Sequence, residues 1–265
     1  MVTTLRVVSY LAPNWFDFYQ TVVSYLGRTL QVNCEFIQSP CDPLVDPTLL
    51  KDHCDLVFIC GLPLIRYTQL IPQKLQPIVA PVMRSNHYQN RPIYFSNVIV
   101  NSHSSYQKLQ DLMGKTVCYN DPGSNSGYFL LCSRLMQEPI QPFFQHAIQS
   151  GSHQTSIRWV IEGRADCAAI DSTVLERELQ LHATLALQLQ LIESIGPAPM
   201  PPLAVTSSLD PTLVKAVQSA LLQPDATLQA AMQSVRVERY APVTLKDYQP
   251  IATCYEAVLN SGYRL

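Results

Sequence analysis

Charged residues are scarce in this chain of 265 residues, where they make up only 14% of the sequence, against about 25% in an average globular protein. This scarcity excludes a polybasic, strongly acidic or disordered chain. The 18 Lys and Arg and 20 Asp and Glu give a formal net charge of -2, which lacks the basic excess of a nucleic-acid-binding protein. We therefore expect no nucleic-acid partner.

Cysteine motifs are also missing, although the chain has 8 Cys. No two of them form C-x-x-C, so zinc-ribbon and thioredoxin-type sites are excluded. Cys54 and Cys60 beside His53 do not have the spacing of a metal cluster. We predict no metal and no cofactor, and the unpatterned thiols favour a reducing compartment.

The sequence as written has no export signal and no long apolar segment. Pro13, Asn14 and Asp17 interrupt the apolar stretch at the N-terminus, where a signal peptide needs 7–15 uninterrupted apolar residues. No segment reaches the roughly 18 apolar residues of a membrane helix. We expect no membrane insertion and a cytoplasmic location as written, or a periplasmic or other extracytoplasmic location if a leader was trimmed.

Hydrophobic residues make up 47% of the chain, enough for a large core or for two cores. Short β-like runs alternate with segments of helical periodicity, which predicts an α/β fold with parallel sheets. We predict two lobes, the second inserted into the first: residues 1–97 plus 197–265 form lobe 1, and residues 98–196 form lobe 2. One continuous doubly wound sheet is the alternative; either form is expected to be a monomer.

The individual elements follow from the same periodicity and from the turn residues between the runs. The pattern predicts strands over 5–10, 32–37, 55–60, 78–82, 93–100, 115–119, 143–148, 166–171 and 187–194. It predicts helices over 14–30, 106–113, 127–137, 151–162, 172–180, 210–222 and 244–260.

Two loops of the second lobe have the features of an anion site. The loop Asp121–Tyr128, with its Ser and Gly residues, follows a strand and opens a helix; Ser150–His153 repeats the arrangement. The first N–H groups of a helix lack intrahelical partners and carry partial positive charge, so both loops suit an oxyanion. The alternatives are ordinary capped turns and a surface histidine near a cap.

Two further residues are candidates for the same site. Asp171 ends a strand at its C-terminal edge, where α/β sheets place ligand groups, although it is equally suited to cap the following helix. Tyr94 lies on the run that enters the second lobe, and it is either a site residue or a packed aromatic of the sheet. No Gly-x-Ser-x-Gly or His-Glu-x-x-His motif occurs, so the motifs predict no enzyme.

In their order along the chain, these segments resemble the phosphonate/phosphite/phosphate-binding components of ABC importers. The resemblance runs from Ser9–Asn14 to about Leu179 and includes Asp55–Gly61 and the loop Asp121–Tyr128. Its most specific part is Gly151–Ser156 with the segment Glu162–Ser172 that follows. It implies a type 2 periplasmic-binding-protein fold with a ligand cleft at the hinge between the lobes.

The resemblance also implies roles for particular residues. Ser124, Asn125, Ser126 and His153 would hold the phosphonate oxygens, with Tyr94 as a further donor. Asp171 would lie near the distal part of the ligand, where it can pair with an amine. A wider set of ligand-contacting candidates comprises Tyr10, Leu64, Gly127, Tyr128 and Ser152.

Two departures from the family pattern indicate a changed ligand. Where relatives often have Pro-Tyr, this chain has Pro63 followed by Leu64, and the middle of the Ser-rich loop is Asn125 rather than Thr or Ser. We predict a solute-binding protein that captures a small oxyanion by lobe closure, with an ABC permease or a signalling protein as partner. A cytosolic enzyme on the same fold, acting on a small metabolite, is the alternative.

Overall fold

This computed structural model describes residues 4–265, and their contacts divide the chain into two compact units. The first unit contains the chain up to Ile93 and Pro199–Gln249, and the second contains Tyr94–Ala198 and Pro250–Leu265. The first three residues of the predicted lobe 1 lie outside the described residues. Among the residues described, no helix combines the length and apolar content needed to cross a membrane.

The described residues form eleven strands and nine α-helices. The strands are β1 (Thr4–Ser9), β2 (Asn33–Gln38), β3 (Leu56–Phe58), β4 (Leu75–Met83), β5 (Ile93–Asn101), β6 (Thr116–Tyr119), β7 (His146–Gln149), β8 (Cys167–Asp171), β9 (Leu189–Pro199), β10 (Leu203–Thr206) and β11 (Val237–Pro242). The helices are α1 (Phe16–Leu30), α2 (Pro47–Leu50), α3 (Gly61–Leu70), α4 (Leu130–Leu135), α5 (His153–Ile161), α6 (Ser172–Leu181), α7 (Pro211–Leu222), α8 (Ala226–Ser234) and α9 (Gln249–Ser261).

Each unit is built on one mixed sheet. The strand order is β11-β4-β10-β3-β1-β2 in the first unit and β7-β6-β8-β5-β9 in the second. The predicted parallel sheets are therefore wrong in part: β1 pairs in parallel with β2 and β3, but β10 runs antiparallel to β3 and β4. In the second unit β6 is parallel to β7 and β8, whereas β5 is antiparallel to β8.

Both faces of the second sheet are covered by apolar side chains. Along β5, Val98 and Val100 belong to one core cluster, and Ile99 between them belongs to the other. Strand β8 divides in the same way, with Ala169 in the first cluster and Ala168 in the second. Because successive side chains of a strand point to opposite faces, a strand buried on both faces is a continuous apolar run. This pattern made the central strands recognisable in the sequence.

The boundaries of the units differ from the predicted lobes mainly in the C-terminal segment. Residues 250–265 were predicted to belong to lobe 1, but they pack within the second unit. The ring of Tyr255 meets that of Phe129 edge-on at 4.8 Å, and the thiol of Cys254 lies 3.7 Å from the Phe129 carbonyl oxygen. Tyr263 and Leu265 pack against the core cluster of Val98. These aromatic and apolar contacts are the physical reason for the difference.

Several elements also differ from the sequence prediction. The predicted helix over 106–113 is only a 3-10 turn, Leu109–Leu112, and the predicted helix over 244–260 begins with another such turn, Leu245–Tyr248. Helices α2, α3 and α8 and strands β10 and β11 were not predicted. Pro63 lies in the first turn of α3, where the missing N–H does not interrupt a helix.

Candidate functional site

The predicted site residues of the second unit lie at one edge of its sheet. Strands β6, β7 and β8 are parallel, so their C-terminal ends meet at the same edge. Strand β5 is antiparallel to β8, and its Ser96 is paired with Asp171, the last residue of β8. The beginning of β5 therefore reaches the edge at which the other three strands end. In α/β sheets this edge is the usual position of ligand-binding groups.

A buried hydrogen bond joins Asn125 to Tyr94. Both residues are fully buried, and Nδ2 of Asn125 donates to the Tyr94 hydroxyl oxygen at 2.8 Å. The amide oxygen Oδ1 of Asn125 is also buried, and within residues 4–265 it has no hydrogen-bond partner. The sequence brought these residues together only through the family resemblance, and the structure brings them into direct contact.

A second buried pair consists of Ser126 and His153. Oγ of Ser126 lies 3.2 Å from Nε2 of His153, and the Ser126 carbonyl accepts a hydrogen bond of 2.6 Å from the Ser96 hydroxyl. Nδ1 of His153 is buried and has no partner in the described part of the chain. Burial lowers the pKa of His153 from 6.5 to about 4. The imidazole is therefore neutral at pH 7, and it can act as a hydrogen-bond donor without carrying a charge.

Backbone hydrogen bonds hold the two loops of the site together. The Ser150 N–H donates to the Tyr119 carbonyl at 2.8 Å, and the Gly151 N–H donates to the Asn120 carbonyl at 3.0 Å. The Ser150 hydroxyl also lies 2.6 Å from the hydroxyl of Ser156 in α5. These bonds connect the loop after β6 to the loop after β7. They fix the positions from which Ser126 and His153 are presented.

Three of the predicted ligand-contacting residues act as helix caps. Oγ of Ser124 accepts from the Gly127 N–H at 3.0 Å, and Oγ of Ser152 accepts from the Thr155 N–H at 3.1 Å. Oδ1 of Asp171 accepts from the N–H and the hydroxyl of Thr173, at 2.8 and 2.7 Å. The capping roles considered for these positions are therefore present.

The carboxyl group of Asp171 has an unusual pKa. Burial raises it from 3.8 to about 6, and the hydrogen bonds from Thr173 and Val174 lower it only partly. A buried carboxylate without a cationic partner is costly, because the charge loses its hydration. Asp171 is therefore the acidic group of this edge, ionised above pH 6 and protonated below it.

Gly127 is required by a close approach to Asn120. A Cβ atom built on Gly127 would lie 1.8 Å from Oδ1 of Asn120 and 3.2 Å from Oγ of Ser124. The following residue, Tyr128, packs edge-on against Tyr119 with ring centroids 5.2 Å apart. Among the wider set of candidates, Gly127 therefore permits the geometry of the loop, and Tyr128 packs beside it.

Tyr10 and Leu64 lie in the first unit. The Tyr10 hydroxyl donates to Oδ2 of Asp46 at 2.9 Å, and the same oxygen accepts from Ser39 at 2.6 Å. Burial is the largest cause that raises the pKa of Tyr10, followed by the hydrogen bond to Asp46. Leu64 is fully buried in α3, so its side chain contributes to a core. Tyr10 is thus part of a polar cluster after β1, whereas Leu64 presents no polar atom.

Sequence reasoning gave no individual role to three residues that position this edge of the sheet, although Ser150 lies in the predicted segment Ser150–His153. Ser96 holds the Ser126 carbonyl, Asn120 packs against Gly127, and Ser150 joins the two loops. Asn120 directly follows β6, and Ser150 directly follows β7, so their position after a strand was the available signal. Ser96 had no such signal, because it lies inside an apolar run whose antiparallel direction was not predicted.

No metal centre emerges from the part of the chain that the structure describes. No group of three or more His, Cys, Asp or Glu side chains in residues 4–265 is arranged to hold a metal ion. All eight cysteines are free thiols. Burial raises the pKa of Cys54 to about 12, so the thiol beside His53 is protonated at neutral pH.

Comparison with known proteins identifies the family and the fold. A family model described as "ABC transporter, phosphonate, periplasmic substrate-binding protein" matches residues 8–248. A binding protein component of an ABC phosphonate transporter from Pseudomonas aeruginosa has a similar structure, with a TM-score of 0.82 and 15% identity over 98% of this chain and 87% of its own.

Two other solved structures have the same fold. PhnD1 from Prochlorococcus marinus (MIT 9301), solved in complex with methylphosphonate, has a TM-score of 0.82 and 18% identity over 97% of this chain and 98% of its own. A Xanthomonas citri protein bound to chloride has a TM-score of 0.73 and 15% identity over 97% and 99% of the two chains. At these identities the likeness establishes the two-lobed α/β fold of periplasmic binding proteins.

Proposed function

Because this chain belongs to the family of ABC-transporter phosphonate periplasmic substrate-binding proteins, we propose that its second unit binds the oxyanion group of a phosphonate, phosphite or phosphate-like ligand. One observation carries the proposal. Ser126, in the helical turn Asn125–Phe129, and His153, the first residue of α5, meet at 3.2 Å in a buried position, and Nδ1 of His153 has no partner among the described residues. A buried polar atom without a partner in the protein requires an explanation, and we infer that a ligand atom is the missing partner here.

The chemistry of these groups suits an anion held without a formal positive charge. Segments 94–96, 119–128, 149–153 and 170–173 contain no Lys or Arg. Hydroxyl and neutral imidazole donors, together with the N–H groups at the starts of the helical segments, supply partial positive charge instead. Bonds from such donors to a charged acceptor are stronger than bonds between neutral groups.

The roles of the remaining candidates are part of the same proposal. Tyr94 is hydrogen-bonded to Asn125 of the loop Asp121–Tyr128, which we call the oxyanion loop, and would contact a ligand oxygen. Asp171, on the neighbouring strand end, would pair with an amine at the distal end of a ligand that has one. Tighter binding of 2-aminoethylphosphonate than of methylphosphonate at pH 8, lost in Asp171→Asn, is the expected result. If wild type and Asp171→Asn show the same ratio of affinities for 2-aminoethylphosphonate and methylphosphonate, this role is contradicted.

Calorimetric titration with phosphate, phosphite, methylphosphonate and 2-aminoethylphosphonate tests the proposal. A ligand at 100 times its Kd should stabilise the folded protein by about 2.7 kcal/mol, which a thermal-shift assay detects independently. Ser126→Ala and His153→Gln should each weaken binding about tenfold or more, since each removes a hydrogen bond to a charged group.

Ser102→Ala is the matched control for these variants. Its hydroxyl bonds the Leu187 carbonyl just beyond the far end of β5, so the affinity should not change. Absence of binding to all four ligands at millimolar concentration would refute the oxyanion assignment. Unchanged affinity in both Ser126→Ala and His153→Gln would refute the location of the site.

We propose that the protein binds its ligand without converting it, as a substrate-binding family does. Phosphorus NMR of ligand recovered after prolonged incubation should show the starting compound only. A new phosphorus signal that depends on the protein would favour the alternative of an enzyme on the same fold.

The proposed partner is the permease of an ABC transporter, and the proposed location is extracytoplasmic, because the family is periplasmic by its description. Fractionation of native cells should recover the protein outside the cytoplasm. Ligand-loaded protein should raise the ATPase rate of the cognate transporter in proteoliposomes. Recovery from the cytosol, bound to a signalling protein, would contradict this assignment.

We also propose that the two lobes close over the ligand. When a two-lobed binding protein closes around its ligand by a hinge motion, its radius of gyration decreases. Small-angle scattering with and without the tightest of the four ligands measures this change. An identical scattering profile with saturating ligand would contradict closure.

A further inference from the structure

One polar atom of the Asn125 side-chain amide has a hydrogen-bond partner, and the other has none among the described residues. Its Nδ2 donates to Tyr94 at 2.8 Å, whereas its Oδ1 is buried and accepts no hydrogen bond within residues 4–265. Asn125 is buried in the second unit, and no donor among the described residues lies within hydrogen-bond distance of Oδ1. A buried acceptor without a donor costs about 1–3 kcal/mol. The loop therefore presents an acceptor at a place where an anion site would be expected to present donors.

An acceptor discriminates between the protonation states of a phosphorus oxyanion. A doubly charged phosphonate carries only acceptor oxygens, so an oxygen placed against Oδ1 of Asn125 would bring two lone pairs together. A singly charged phosphonate retains one P–OH group, which can donate to Oδ1 and satisfy it. Phosphorus oxyacids lose their second proton close to neutral pH, so both forms are available to the protein.

Resting on the proposed function, we propose that this site selects the singly charged form of its phosphorus oxyanion by accepting a hydrogen bond from the P–OH group at Oδ1 of Asn125. The surrounding groups agree with this selectivity. Segments 94–96, 119–128, 149–153 and 170–173 contain no Lys or Arg, so no fixed positive charge within these segments favours a second negative charge on the ligand.

The charged and titratable groups on the elements around Asn125 include Tyr94 on β5, Tyr119 on β6, Asp121 and Tyr128 in and after the same loop, Cys132 and Arg134 on α4, His153 and Arg158 on α5, Cys167 and Asp171 on β8, and Cys254, Tyr255 and Glu256 on α9. Arg134 is paired with Glu138 and Glu193. The pKa of His153 is lowered to about 4 and that of Asp171 is raised to about 6, in both cases by burial. Above pH 7 neither group changes its charge. Any change in affinity between pH 7 and pH 9 therefore reports mainly on the ligand.

Methylphosphonate and methanesulfonate are the probes for this proposal. The two ions have the same shape, and each can carry a single negative charge, but methanesulfonate has no proton to donate. The wild-type protein should bind methanesulfonate at least about tenfold more weakly than methylphosphonate at pH 7, the equivalent of one lost buried hydrogen bond. Its Kd for methylphosphonate should rise about tenfold per pH unit once the ligand's second pKa has been passed.

Asn125→Thr tests the residue itself. A threonine hydroxyl both donates and accepts, so this variant should bring the affinities for the two ions to within about threefold of each other and flatten the dependence on pH. Asn101→Thr is the matched control, because Asn101 bonds the Ile161 carbonyl from the opposite end of β5. In this control the preference for methylphosphonate should be unchanged.

The outcomes separate this inference from the function on which it rests. Binding of methylphosphonate with equal affinity for methanesulfonate, or with a Kd that is constant from pH 7 to pH 9, overturns the inference and leaves the proposed function intact. Failure to bind any phosphorus oxyanion overturns both. The wild-type measurements are decisive even if Asn125→Thr does not fold.

Discussion

Gly127→Ala gives the sharpest structural test of the oxyanion loop. The added Cβ would lie 1.8 Å from Oδ1 and 3.0 Å from Cγ of Asn120, and 3.2 Å from Oγ of Ser124. Real Cβ contacts do not occur at 1.8 Å, so the Asn120 amide must move by more than an ångström. The Asn120 backbone has little freedom to follow, because its carbonyl accepts from the Gly151 N–H.

The magnitude follows from displacing the end of a side chain. The atom that the new Cβ meets first is the terminal oxygen of Asn120, which no hydrogen bond from the described residues holds, so the amide must leave its preferred rotamer at a cost of about 1 kcal/mol. In a chain of this size each 1 kcal/mol lowers Tm by about 2–4 °C. Gly127→Ala should therefore lower the free energy of unfolding by this amount in urea titration. It should also weaken ligand binding, because Ser126 is its direct neighbour.

A double-mutant cycle with Asn120→Ala isolates the contact. Oδ1 of Asn120 has no partner among the described residues, so Asn120→Ala alone should cost little. The double variant should recover most of the stability lost in Gly127→Ala, which gives a favourable coupling of about 1 kcal/mol. If Gly127→Ala is as stable as the wild type, or if Asn120→Ala does not relieve its cost, the steric reasoning is refuted.

Three other predictions concern the same edge of the second sheet. The pKa of His153 is about 4 instead of 6.5, because the buried imidazole is neutral. The free energy of unfolding should therefore be highest above pH 6.5 and should fall as pH falls to 4. Urea titrations should show the advantage of wild type over His153→Gln shrinking by about 3 kcal/mol between pH 7 and pH 4. Asp171 has the opposite pH dependence, since its pKa of about 6 exceeds the ordinary 3.8 and its ionisation destabilises the fold as pH rises. Asp171→Asn should gain about 2 kcal/mol relative to wild type as pH rises from 4 to 7, and a difference that does not vary with pH would contradict the assignment. Ser96→Ala removes the hydrogen bond to the Ser126 carbonyl and should cost about 1–3 kcal/mol in thermal or urea denaturation, with weaker ligand binding; unchanged stability would show that the bond does not hold the loop.

Local pattern was enough to predict most elements and the two loops of the site. The loop Asp121–Tyr128 and the segment Ser150–His153 were recognisable because each follows an apolar strand and opens a helix with small polar residues. The family resemblance was carried by the same segments, and the family model confirms it over residues 8–248. The order of strand, turn and helix is determined by consecutive residues, so it can be predicted from a single sequence.

Pairings between distant segments could not be predicted in the same way. The antiparallel direction of β5 beside β8 depends on contacts between residues about 75 positions apart, such as Ser96 and Asp171. Strand β10 has only four residues, and all are buried, so it has neither the length nor the alternation of a recognisable strand. The open acceptor of Asn125 was equally hidden, because which side of an amide is satisfied depends on its neighbours in space.

The order of the two units along the chain has a consequence for synthesis. The chain passes between the units after Ile93, after Ala198 and after Gln249, so neither unit is one continuous stretch of sequence. The second unit, which carries the oxyanion loop, needs Tyr255 and Tyr263 for its core contacts. Because domains fold as units while the chain emerges from the ribosome, the first unit can be complete while the second still lacks its closing helix. The second unit is therefore the last to mature, and a chain truncated after residue 249 would have every residue of the first unit but would lack the C-terminal segment of the second.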